Sequence, residues 1–94
     1  VTDTFQLLEA VNDRESFVAF VMALAAERES AAKIESENPT RYMLDGAHGW
    51  ANADIPQFLE AACEFFGSIP DGEPDPEPSW KVFAEILWCG KIIE

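Results

Sequence analysis

The sequence predicts an all-α fold, a small orthogonal or bundle-like array of three main helices plus a short N-terminal helix, with long loops between them. Apolar residues recur at spacings of three and four in three separate stretches, and each stretch opens on a residue able to cap a helix. No run of alternating apolar and polar residues is long enough to argue for a sheet. Ninety-four residues, 48% of them hydrophobic, with seven Phe, three Trp and one Tyr, suffice for one packed core and not for two. Residues 1–94 are therefore expected to form a single helical domain.

From Thr4 to Val11, the residues Phe5, Leu8 and Val11 stand at helical spacing, but so short a segment keeps its shape only when docked on a larger body. At Asn12-Asp13-Arg14-Glu15 the Asn12 side chain is placed to accept from free backbone N–H groups, with Glu15 completing a capping box. The helix that follows is expected to run from Asp13 to about Glu35. It carries Phe17, Val18, Phe20, Val21, Leu24 and Ala25 on its apolar face, and Glu15, Ala19, Ala23 and Glu27 on its other sides. Asn38-Pro39 ends it, because the residue before proline avoids the α region and proline has no N–H to donate.

The stretch Thr40 to Asn52 reads as a loop folded back over the core by Tyr42, Met43, Leu44 and Trp50. Asp54-Ile55-Pro56-Gln57 then opens a second main helix, with Asp54 as cap, Gln57 completing the box and Pro56 harmless in the first turn. Its apolar positions are Ile55, Phe58, Leu59, Ala62, Phe65 and Phe66, and Gly67 is expected to close it. Ser68 to Pro78, rich in proline and acid, reads as an extended loop of polyproline character. Ser79 caps the last helix, Trp80 to about Ile92. Apolar residues surround that helix almost completely, which predicts that it is the central element of the core, and Lys91 suits the negative pole of its dipole.

Eighteen acids stand against Arg14, Arg28, Lys33, Arg41, Lys81 and Lys91, for a formal net charge of -12. Such a surface repels phosphate backbones and anionic headgroups, so the partners expected are neither nucleic acid nor membrane but a protein, basic in character. The same charge keeps a small protein soluble. No apolar run reaches the roughly 20 residues needed to span a bilayer, and no signal-like segment opens the chain, so the expected compartment is cytoplasmic. Cys63 and Cys89 sit among apolar neighbours and are expected to be buried, reduced thiols.

No catalytic set, cofactor motif or metal quorum emerges. Asp71, Glu73, Asp75 and Glu77 alternate like the start of a calcium loop, but the positions that need Gly and Glu hold Pro76 and Val82. His48 is the one histidine, with no second ligand at zinc spacing, and Cys63 in apolar company makes a poor nucleophile for it to activate. Trp50 and Asn52 are expected either to pack down, with Asn52 supporting the helix start, or to join a binding surface. The candidate partner-binding residues are thus Tyr42, Trp50, Asn52, Asp71, Glu73, Asp75 and Glu77. A pocket for a small ligand or substrate near Tyr42, His48 and Asn52 is the alternative, and self-association through a Phe-rich surface, giving a homodimer, is a third.

Three stretches, N-D-R-E-S-F-V-A-F-V, W-A-N-A-D-I-P-Q-F-L-E-A-A and P-S-W-K-V-F-A-E-I-L-W-C-G-K-I-I-E, together resemble a family of small acidic bacterial proteins of unknown function. The W-x-N before the second helix and the P-S-W opening the last are the most specific parts. The family usually ends in an aromatic residue followed by Glu, whereas Ile93 precedes Glu94 here. The resemblance implies a bacterial, intracellular protein and brings no activity or catalytic residue with it. Size and charge alone also match many immunity proteins, which neutralise basic toxins.

Overall fold

Asp3, Asp13, Asp54 and Ser79 each stand in extended backbone just before a helix, and each side chain accepts a backbone N–H of the first turn. They start helices α1 (Thr4–Glu9), α2 (Arg14–Glu37), α3 (Ile55–Gly67) and α4 (Trp80–Ile92), with a 3-10 turn at Ala47–Gly49 between α2 and α3. The computed structural model describes residues 3–41 and 46–93, and no strand occurs among them. No described helix is long and apolar enough to cross a membrane.

Two helix ends differ from expectation. The cap of α2 is Asp13 rather than Asn12, and its reciprocal partner is Ser16 rather than Glu15. Asp13 Oδ1 accepts the Ser16 N–H at 2.8 Å, while Ser16 Oγ accepts the N–H of Asp13 at 3.1 Å and of Asn12 at 2.9 Å. A hydroxyl on a short stem reaches both amides at less rotamer cost than a Glu side chain. At the end of α3, Gly67 stays helical and Ser68 makes the cap, its hydroxyl donating to Phe65 O at 2.7 Å. Left-handed glycine is needed instead at Gly72, φ 86°, in a turn closed by the Glu73 N–H on Pro70 O at 3.2 Å.

The packed centre is the inner face of α2. Phe20, Leu24 and Ala31 are buried there with Leu8 and Val11 from the N-terminal side, Ala47 and Trp50 from the loop, and Ala84 from α4. Helix α4 is, as expected, the element on which the other helices pack, but it contributes only Ala84 to the fully buried cluster. Trp80 is 38% and Phe83 41% exposed, and both join Phe17 in an aromatic cluster at the surface. A chain with so little interior cannot enclose a helix on all sides. Helix α4 instead takes α3 along one side and α1 and α2 along another. Cys63 is exposed on α3, against expectation; Cys89 is half-buried, and burial, with the charge of Glu85, pushes its thiol pKa up.

The helices are locked together by polar groups as well. Lys91, only 5% exposed, places Nζ 2.6 Å from Glu27 Oε1 and 4.7 Å from the centre of the Trp88 ring. The same carboxylate accepts Trp50 Nε1–H and Thr4 Oγ–H, each at 2.9 Å. Glu27 thus turns inward, not to an outer side as its helical position suggests, because three donors from three other parts of the chain converge on it. Lys81 adds a second clasp from α4, its Nζ donating to the last carbonyls of α1, Leu8 O at 3.0 Å and Glu9 O.

Replacing one member of a buried pair strands the other. Lys91→Ala is expected to cost about 3 kcal/mol, the lower end of the usual range for breaking a buried pair, because Glu27 keeps some solvent access. Urea unfolding of the variant and the parent chain measures it; a loss below about 1 kcal/mol would show that water screens the pair.

Candidate binding cleft

Helices α2 and α3 both pack on α4 but make few contacts with each other, and a cleft opens between them. Its volume is about 300 Å³. Val21, Leu24, Ala25 and Arg28 form one wall, Ile55 and Phe58 the other, and Leu87 of α4 and Trp50 contribute between them, with Asn52, Ala53 and Asp54 leading into α3. The Phe58 ring stacks on Trp50 at 6.1 Å and lies against Gly90, where a Cβ atom would come within 2.7 Å of the ring. Only a residue without a side chain lets Phe58 sit this deep.

The same two helices carry further exposed apolar side chains, of which Ile55 also lines the cleft. On α2, Val18 and Met22 lie a turn apart, 49% and 65% exposed; on α3, Ile55, Leu59 and Phe66 repeat at helical spacing, 74%, 56% and 47% exposed. The spacing of these side chains predicts burial, and no element among the described residues covers them.

The loop that closes the cleft is tied to α2 through Glu35. Its Oε1 takes Arg28 Nη2–H at 2.7 Å and its Oε2 takes the Ala47 N–H at 2.9 Å. His48 follows in the left-handed region at φ 56°, with Nε2 3.3 Å from Ser30 Oγ. The turn closes with the Gly46 N–H on Trp50 O at 3.0 Å. These anchors drop the Trp50 ring into the core beneath the Arg28 guanidinium, whose carbon lies 5.4 Å from the ring centre. Arg28 Nη1 is buried without a hydrogen-bond partner.

The residues singled out in the sequence scatter. Trp50 and Asn52, 5% and 7% exposed, are inside. Asn52 supports the end of α4 rather than the start of α3: its Nδ2 donates to Gly90 O at 2.9 Å and to Ile93 O, beside the Ala51 N–H on Lys91 O at 2.7 Å. Tyr42 lies outside the described residues. Asp71, Glu73, Asp75 and Glu77 are exposed on the loop before α4 and do not line the cleft. Of His48 and Asn52, the cleft holds Asn52; His48 is exposed outside it. Among the described residues, no three His, Cys, Asp or Glu side chains meet at a distance suited to a metal ion.

Sequence reasoning passed over Arg28 and Lys91 as site-forming residues. The one available signal was Lys91, a lone cation between Trp88 and Ile92; Arg28, between Glu27 and Glu29, gave none.

The model of a family of unknown function, DUF7660, matches residues 13–94. The chain belongs to that family. Helices α2, α3 and α4, with every residue that lines the cleft, fall inside the matched span, and α1 precedes it. No curated protein and no solved structure matches the chain.

Acid should loosen the loop anchor. Burial raises the Glu35 pKa, but hydrogen bonds from Arg28 and the Ala47 N–H, with the charges of Arg28 and His48, outweigh it and hold the carboxyl below its ordinary 4.5. A carboxylate with a lowered folded-state pKa favours the folded chain above its unfolded pKa and loses that effect as pH falls through the folded value. The urea midpoint of the parent chain should therefore fall between about pH 5 and pH 3, and that of Glu35→Gln should fall less. Equal slopes would remove Glu35 as a source of acid sensitivity. Gly90→Ala, by pushing Phe58 outward, should cost about 1–3 kcal/mol, measured in the same way.

Proposed function

We propose that this chain is a non-enzymatic protein-interaction domain that offers the α2–α3 cleft and its apolar rims to a basic protein partner. The observation that carries the reading is the open apolar cleft, flanked by exposed Met22, Ile55 and Leu59 on a chain of net charge -12. Extended apolar patches on small proteins mark contact sites, because water around them is released on binding. The accessible surface, 6559 Å², also exceeds the value expected for a folded monomer of 10.5 kDa, about 5,400 Å².

Charge and cleft divide the work. The acidic surface, including Asp71, Glu73, Asp75 and Glu77, draws a basic partner in and orients it, and the apolar cleft holds it. Trp50 and Asn52 act from beneath, Trp50 as the ring on which Phe58 and Arg28 rest and Asn52 as the tie to α4. The sharpest form of the reading is an immunity-type role against a basic toxin. A small-ligand site is the second reading, favoured by a cavity volume, about 300 Å³, at the lower bound of ligand pockets. Concentration-dependent stabilisation in a thermal-shift screen of metabolites would select it.

The test is titration of the chain with the basic protein encoded beside its gene, at low and at high salt. Binding that weakens with salt, falls at least about tenfold in Leu59→Glu, and slows alkylation of the exposed Cys63 is the expected result. Absence of association at low salt would remove the support for this partner.

A further inference from the structure

Resting on the protein-interaction reading, we infer that the occupant of the cleft is one amphipathic helix of the partner, basic on its outer face, lying between α2 and α3 over Leu87. The extent of the exposed apolar surface favours a guest larger than a small molecule. From Ile55 to Phe66 the rim runs about three turns, roughly 16 Å, along α3. A small molecule filling about 300 Å³ leaves that rim bare.

The kind of segment follows from what the cleft lacks. No strand occurs among the described residues, so an added strand has no sheet edge to pair with. Val18, Met22, Ile55 and Leu59 dominate the exposed side chains, and the Trp50 ring lies buried with Phe58 stacked on it, so no open aromatic slot of the kind that proline-rich ligands fill is presented there. Two helices that share a support and stand apart leave a groove that a third helix fills, with its residues at i, i+3, i+4 and i+7 as anchors, and flexible Met22 adapts to its shape.

Charge separates a foreign helix from a second copy. Exposed Glu15 and Glu29 bracket the α2 stripe at helical spacing, and Asp54, Glu60 and Glu64 flank that of α3. Two copies of a chain at -12 would bring like charges together around the same apolar surface, whereas lysines on a docked helix meet them.

The experiment titrates the full chain with an acetylated, amidated peptide of about 14 residues, with Leu at i, i+3, i+4 and i+7 and Lys or Gln elsewhere. A scrambled peptide of the same composition and a Glu-for-Lys version serve as controls. The amphipathic basic peptide should bind at least about tenfold more tightly than either control, gain helical circular dichroism on binding, and lose affinity in Leu59→Glu. Leu59 is 56% exposed, so the variant keeps its fold, and a thermal melt verifies this. If the basic protein partner binds through the cleft while patterned and scrambled peptides bind alike, the helical occupant is overturned and the interaction reading stands. If Leu59→Glu changes neither, the cleft is overturned with both. A sedimenting dimer of the chain that Leu59→Glu dissolves would put a second copy in the groove and overturn the inference as well.

Discussion

Four parts of the chain meet at the Glu27 carboxylate. Lys91 comes from the end of α4, Trp50 from the loop, Thr4 from α1, and Glu27 itself from the middle of α2. A carboxylate and an ammonium taken out of water lose several kcal/mol of hydration each, so the pair persists only with its remaining hydrogen-bonding capacity filled. Here the indole and hydroxyl donors fill it on one side, and the faces of Trp50 and Trp88 lie beside the ammonium on the other. Slippage of α2 against α4 would leave a charge behind without a partner, so the cluster fixes their register in a way that apolar contact alone, which is non-directional, does not.

The cleft is a consequence of that arrangement. With α2 held to α4 at Glu27 and Lys91, and Phe58 of α3 seated on Gly90 one residue away, α4 lies between α2 and α3 and prevents their closing on each other. Trp50 serves both sides, as hydrogen-bond donor to Glu27 and as the ring beneath Phe58 and Arg28. The outline of the chain reflects this: 44 × 30 × 18 Å, with a radius of gyration of 14.2 Å against about 12 Å for a compact chain of this length. A long α2 and an open groove account for the excess.

Apolar and acidic surfaces thus stand side by side and answer different physical demands. Acidic side chains repel other copies and polyanions across a Debye length of about 10 Å, whereas apolar side chains act only on contact. A domain with both is selective before contact and adhesive after it. Two of the polar side chains that line the cleft serve the fold, Asp54 at the α3 cap and Asn52 on the α4 carbonyls.

The four helices, their caps at Asp54 and Ser79, the proline stops and the acidic character were legible from the sequence, because each depends on residues within a few positions of one another. Periodicity also identified the apolar stripes on α2 and α3. It could not say which parts of those stripes would find partners, and so Ile55, Leu59 and Met22 were assigned to burial or passed over, although all three stand exposed and Ile55 lines the cleft. Local pattern likewise placed Glu27 outward and Lys91 at a helix pole. Only the tertiary structure brings together residues 23, 64 and 41 positions apart, as in Trp50 to Glu27, Lys91 to Glu27 and Ile93 to Asn52, because the free energy of a buried polar contact depends on what else surrounds it in space. The sequence by itself determined that helices form and that their surface is acidic; the packing of those helices decided that two of them stay apart, since a helix can reveal its apolar face in one dimension but not whether another helix will cover it.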